Sequence, residues 1–298
     1  MTWKENLIRL YLLVCDDKGI QNYLKSYKQS NNQTAKFSDE EVITLYLFGI
    51  SQSMNKVKQI HRYAKQHLSE WFPALPSYAG FNERLNNLSA CFELLVSSLT
   101  QSALPQLLIN KEKVIDSMPI MVAGNSRSST AKVAKQLCSK GYCSSKQTYY
   151  YGLKLHTLGI VRPSTLPIPE ASWITPANEN DLAAARPVFE YLYNTKIYAD
   201  KIYADTDLNK AMRDKQNSTI ITPVKKEKGQ ILRDAADDLF SAAVSRVRQP
   251  IESFFNWIIE KTHIQIANRV RSERGLLVHV WGKYAAALLL LTRFLTLD

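Results

Sequence analysis

The chain has 298 residues, 45% of them hydrophobic, a net charge of +11 and a pI near 9.4. That is enough apolar material for a sizeable core in one large domain or two ordinary ones. The four cysteines, Cys15, Cys91, Cys138 and Cys143, are too sparse for a disulfide scaffold and suit a reducing compartment such as the cytoplasm. Cys138 and Cys143 have no second Cys or His pair at zinc spacing. The N-terminus lacks the basic and apolar regions of a secretion signal. Leu276–Leu297 is apolar but broken by His279, Lys283 and Arg293. Its uninterrupted part falls short of the ~20 residues a membrane span needs, so it reads as a buried core helix. The positive charge is uneven: residues 1–110 carry 11 basic and 9 acidic side chains, residues 111–298 carry 27 and 18. The second part suits a polyanion, most commonly nucleic acid. A basic, well-solvated surface is the plainer alternative.

Residues 1–110 read as helices. Leu7, Leu10, Tyr11 and Val14 recur at helical spacing, as do Tyr23, Leu24 and Tyr27. A polar linker, Gln29–Lys36, follows. Ser38 is a predicted N-cap with Glu41 at the capping-box position, opening a helix to about Gly49. Further helices are expected over Asn55–Trp71 and, after the Pro73 and Pro76 break, over Tyr78–Leu107. Such a bundle suits DNA binding and equally suits a purely structural role.

From Lys111 strand-like runs alternate with helical ones. Strands are expected at Val114–Asp116, where Pro119 ends the run, and at Tyr149–Gly159, Ser172–Thr175, Lys196–Asp200 and Ser218–Val224. Helices are expected at Asp181–Tyr193, Asp205–Lys215, Arg248–Lys261 and Leu276–Leu297. This order predicts an α/β domain: a mixed five-stranded sheet covered by helices, behind an all-α N-terminal domain with the boundary at 110/111. The loop Ala123–Thr148 holds Arg127, Lys132, Lys135, Lys140 and Lys146, is rich in Ser and has no acid. It can track phosphates or be an ordinary surface loop. Lys225 and Lys226 form a second basic cluster, leading into an amphipathic connector over Gln230–Val244.

Three carboxylates are candidates for chemistry. Asp116 closes the first strand run, where a carboxylate needs a partner or a metal; a strand-end turn is the alternative. Lys196–Asp200 is repeated at once as Lys201–Asp205, so Asp200 and Asp205 compete for one role. Asp200 ends the apolar run and is preferred; Asp205 looks like a helix N-cap. Arg248, Glu252 and Asn256 are four apart and share a helix face, with Pro250 in the first turn. Separations of 84 and 52 residues put the three acids on the first strand, the fourth strand and the last helix against the sheet. If the fourth strand lies beside the first, they converge as a hard-oxygen site for Mg²⁺ or Mn²⁺ and phosphates.

These residues together resemble a DDE transposase of a bacterial insertion sequence, most closely the group numbered nine-eight-two. The matching stretches are Ile115-Asp116-Ser117, Tyr149–His156, Thr175–Asp181, Asp200-Lys201-Ile202-Tyr203, where Ile202 replaces the usual Gly, and Arg248-Gln249-Pro250-Ile251-Glu252. Ser245 and Ile259 stand where related groups carry Tyr and Lys, and Lys261 lies on another helix face. The resemblance implies a ribonuclease-H-like catalytic domain in which Asp116, Asp200 and Glu252 hold two divalent ions. It implies hydrolysis at transposon ends and transfer of the 3′-hydroxyl to target DNA. It further implies double-stranded DNA as partner, homo-oligomers on paired ends, no membrane, and a place in the bacterial cytoplasm at the nucleoid. Arg248 is expected to orient Glu252 or bind phosphate, Lys201 and Tyr203 to position the DNA backbone, and His156 and Asn256 to assist. A nuclease on the same fold that only hydrolyses, and a non-catalytic DNA-binding relic, are the rivals.

Overall fold

A computed structural model describes residues 2–27, 35–103, 110–144, 146–225, 230, 234–292 and 294. Lys226 and most of the Gln29–Lys36 linker lie outside the described residues. The chain divides into two compact units, one of residues 1–102 with 258–298, the other of residues 103–257.

The first unit holds helices α1 (Trp3–Asp16), α2 (Lys18–Ser26), α3 (Asp39–Ser51), α4 (Val57–His67), α5 (Tyr78–Asn87) and α6 (Ser89–Ala103). The helix expected over residues 1–27 is two helices, because Asp17 ends α1 and its side chain accepts from the Ile20 N–H to start α2. The capping box expected at α3 is present: Ser38 Oγ accepts from Glu41 N at 3.1 Å and Glu41 accepts from Ser38 N at 2.5 Å. The core of α3 is buried on every side over Val42–Ser51. The C-terminal segment packs on it, as Tyr46 donates to the Val278 carbonyl at 3.3 Å. Gly282 lets the two approach; a Cβ there would meet Tyr46 Cε1 at 2.5 Å. Glu273–Leu291 is long and apolar enough to cross a membrane, but 67% of it is buried within the protein, as a core helix would be.

The second unit is a mixed α/β fold of ribonuclease-H-like type, with strands β1 (Glu112–Ala123), β2 (Ser139–Cys143), β3 (Thr148–Ile160), β4 (Ile168–Pro176), β5 (Lys196–Tyr198) and β6 (Thr219–Ile221). Helices α7 (Asp181–Phe189) and α8 (Thr206–Gln216) separate β4, β5 and β6, and α9 (Ala235–Thr262) follows β6. Among the described residues the sheet has six strands rather than five, in the order β2-β3-β1-β5-β6, with β4 beside β3. Strand β3 is long enough to pair with β2 over Thr148–Gly152 and with β4 over Leu153–Ile160 along one edge. Its other edge pairs antiparallel with β1. The sixth strand, β2, lies inside the segment expected to be a loop. Only Gly141 and Cys143 alternate toward the interior there, and this short pattern is masked by Ser and Lys.

Two further expectations are corrected. Pro119 does not end β1, which runs on to Ala123. Pairing with β5 stops at Val114, so β1 has an open edge where the proline sits, and an edge tolerates a missing N–H. The last helix starts at Ala235, so Pro250 is an interior proline rather than a first-turn residue. Val244, Ile251, Phe254 and Phe255 are buried on either side of it, and that burial offsets the ~3 kcal/mol an interior proline costs.

One face of the sheet carries Ile115 and Leu158 in a core with Phe189, Ile197, Tyr203 and Met212 from the α7 and α8 layer. The other face carries Asp116 and receives α9 through Arg248.

Candidate active site

The rival aspartates lie in different local settings. Glu112, Lys113 and Val114 pair with Lys196, Ile197 and Tyr198, a constant offset of 84 residues. Asp116 and Asp200 have the same offset, but Asp200 lies past the end of β5 at the start of a 3-10 turn; its charge nevertheless reaches Asp116 and raises that carboxyl. Asp205 is employed elsewhere. It caps α8 by accepting from Leu208 N at 2.9 Å and pairs with Arg186 Nη2 at 2.5 Å. That backbone hydrogen bond, followed by the arginine, holds its carboxyl below the usual range.

Asp116 is the centre of the site. Its Oδ1 accepts from Ser117 N at 2.8 Å and its Oδ2 from Arg248 Nη2 at 3.0 Å. The same nitrogen lies 3.3 Å from Glu252 Oε1. One guanidinium group therefore stands between two of the three acids. Burial pushes the Asp116 carboxyl up from 3.8 to about 6 against the pull of Arg248 and the Ser117 N–H, and the charges of Asp200 and Glu252 raise it further. Three carboxylates that repel one another around a buried position suit a hard divalent cation by donor chemistry. The side chains are not gathered as ligands: among the described residues no three His, Cys, Asp or Glu groups are placed to hold a metal. Arg248 supplies the positive charge instead. Among the described residues its buried Nε has no hydrogen-bond partner, so the clasp satisfies the guanidinium only in part. Glu252, 55% exposed, has room to turn.

A cleft of about 410 Å³ opens beside these groups, lined by Asp200, Lys201, Pro223, Ser245 and Arg248 among others. Of the residues expected to meet DNA, Lys201 and Arg248 line it. Arg127, Lys132, Lys135, Lys140, Lys146 and Lys225 are exposed on loops and on β2. Asn256, also exposed, is one turn past Glu252. Tyr203 is not available for the DNA contact expected of it. It is wholly buried, its hydroxyl has no hydrogen-bond partner among the described residues, and burial keeps its phenol protonated far above the ordinary range. His156 is not at the site either. It pairs across the sheet with Ser117, next to Asp116 and therefore on the opposite face. Its ring stacks on Trp173 at 5.2 Å, its Nε2 bonds Thr175 Oγ1 at 2.8 Å, and burial pushes it down to about 4.

Sequence reasoning missed the bond from Arg248 to Asp116. The helical spacing showed the Arg248–Glu252 pair, but nothing local signals a contact 132 residues away.

The family model described as transposase DDE domain matches residues 108–273. No curated protein matches the chain.

Proposed function

The chain belongs to the transposase DDE domain family, and on that premise we propose that it is an insertion-sequence transposase that cuts transposon ends and joins their 3′-hydroxyls to target DNA. Asp116, Asp200 and Glu252 are the metal-holding carboxylates in this reading. The observation that supports it is that the charges of Asp200 and Glu252 both act on buried Asp116, with Glu252 tied to it through Arg248. Divalent Mg²⁺ or Mn²⁺, two ions in the usual arrangement, would activate a water or a 3′-hydroxyl and stabilise the leaving oxygen. The chain's own residues do the rest. Asp116 offers its oxygens from β1 and Asp200 from the turn that follows β5, and Glu252 closes from an exposed position on α9. Arg248 releases the carboxylates and turns to a phosphate, which a guanidinium can hold with two parallel hydrogen bonds. Lys201 faces the cleft beside Asp200 and steadies the backbone of the bound strand. The exposed basic groups of residues 127–146 and Lys225 follow the DNA outward. The helical N-terminal region contributes to end recognition, and the active form is a homo-oligomer on paired ends.

The test uses Asp116→Asn, Asp200→Asn and Glu252→Gln with a labelled transposon end. Each variant should still bind the end but neither cut it nor join a pre-cut end to target DNA. A variant that joins at the wild-type rate removes that residue from the assignment. Cutting by the wild type with no joining of a pre-cut end would make the protein a hydrolase alone.

A further inference from the structure

The sheet face that bears Asp116 has a second feature, at the far end of β3. Tyr150 points into a small core with Cys143 and Ala177. Alternation along the strand therefore turns Tyr149 and Tyr151 to the other face, the one shared by Thr157, which lies directly opposite Asp116. On β2, Tyr142 pairs with Tyr149 and Lys140 with Tyr151, so Lys140 and Tyr142 share that face. The two tyrosine rings are 5.0 Å apart, and Lys140 Nζ stands 4.7 Å over the Tyr149 ring. Tyr142 is 51% exposed and Tyr149 49%. Tyr151, by contrast, is buried and donates its hydroxyl to the Val133 carbonyl at 3.1 Å, holding the basic segment against the strand.

A cross-strand tyrosine pair steadies a hairpin modestly, but that role does not require half of each ring to stay in water. The segment around it carries five basic residues and no acid between Ala123 and Thr148. Aromatic faces beside ammonium groups in a positive field match one chemistry: a nucleobase stacks on the ring while its phosphate meets the cation. Bases inside a duplex have their faces already covered, so the matching base is an unpaired one.

We propose that Tyr142, Tyr149 and Lys140 form a stacking surface for unpaired bases of the DNA strand held at the carboxylate cleft. The proposal rests on the transposase reading and deepens it by naming the form of DNA engaged. Eight residues of β3 separate Tyr149 from Thr157, about 26 Å at ~3.3 Å per residue. At 3.4 Å per base pair, the surface meets DNA roughly eight positions from the phosphate at Asp116.

The experiment is fluorescence anisotropy with two labelled transposon ends, one fully paired and one with three unpaired bases centred eight positions from the cut. Wild type should favour the unpaired form. Tyr142→Ala and Tyr149→Ala should each lose roughly five- to a hundred-fold on that form, the range expected for one lost stacking contact, with the paired end unchanged within about twofold. Tyr149→Phe, which keeps the ring, should bind as wild type does. Equal losses on both ends, no loss on either, or a loss in Tyr149→Phe matching that in Tyr149→Ala would overturn the stacking role. A wild-type protein that binds neither end would instead overturn the transposase reading on which the proposal stands.

Discussion

Replacing Arg248 with methionine tests the charge balance at Asp116. The guanidinium and carboxylate centres are about 4 Å apart, worth about 4 kcal/mol at an effective dielectric of about 20, or ~3 pKa units. Asp116 titrates at about 6 with Arg248 in place, so in Arg248→Met its pKa should rise above neutrality. The sign follows from proton counting. A carboxyl with a folded pKa above its unfolded value makes the folded state bind the extra proton, so stability falls as pH rises through the window between the two. For the wild type that window runs from 3.8 to about 6; for the variant it continues past neutrality. Below pH 6 the two proteins should differ by a constant amount from lost packing and hydrogen bonds. Between pH 6 and pH 8 the deficit of Arg248→Met should grow by about 1.4 kcal/mol per pH unit. Urea denaturation at pH 5, 6, 7 and 8, with chelator present to keep stray metal away, measures it. A deficit independent of pH would refute the ion pair as the partner that keeps Asp116 ionised.

Three other predictions address the rest of the molecule. Lys283 is buried, its Nζ donates to the His263 carbonyl at 3.2 Å, and burial lowers its pKa from 10.5 to about 7. The unfolded state then binds more protons between pH 7 and 10.5, so stability should rise with pH there by about 1.4 kcal/mol per unit. Lys283→Met should be more stable at pH 7 and should flatten the thermal-melt dependence on pH; an unchanged slope would contradict this. Gly152→Ala would place a methyl group 2.0 Å from the Ile120 carbonyl oxygen, so β1 and β3 must separate, at a cost of about 3 kcal/mol or more by urea melt. A loss under 1 kcal/mol would show that the pairing gives way easily. Asp205→Ala should lower the melting temperature as a lost helix cap and keep end cutting, whereas Asp200→Asn should abolish cutting without loss of stability. The reverse pattern would exchange their roles.

The sequence displayed the ingredients of the site more clearly than their contacts. Asp116 could be picked out because a carboxylate is costly at the end of an apolar run. Asp200 could be preferred to Asp205 because only Asp205 precedes capping-type residues, and Asp205 does cap α8. The four-residue spacing of Arg248 and Glu252 is a local helical property and was legible for that reason. The bridge from Arg248 to Asp116 depends on how α9 lies on the sheet, which no local pattern encodes. Strand-face parity separates His156 from Asp116: the two are in neighbouring register positions, and a one-residue step reverses the side chain. The resemblance assigns Tyr203 a DNA contact as the last residue of the Asp200–Tyr203 stretch, yet a 3-10 turn over Lys201–Tyr203 carries it into the core. Strand β2 escaped notice because one of its faces is solvent-exposed and carries lysine and tyrosine.

The central claim is that Asp116 and Glu252 give up Arg248 and, together with Asp200, take divalent metal in its place. Anomalous scattering from crystals grown with Mn²⁺ and a transposon end tests it most directly. The account predicts manganese peaks bounded by the three carboxylates, with the Arg248 guanidinium moved onto a DNA phosphate. Peaks located elsewhere, or an Arg248 still bridging Asp116 and Glu252 with no metal between them while the DNA is cut, would contradict it.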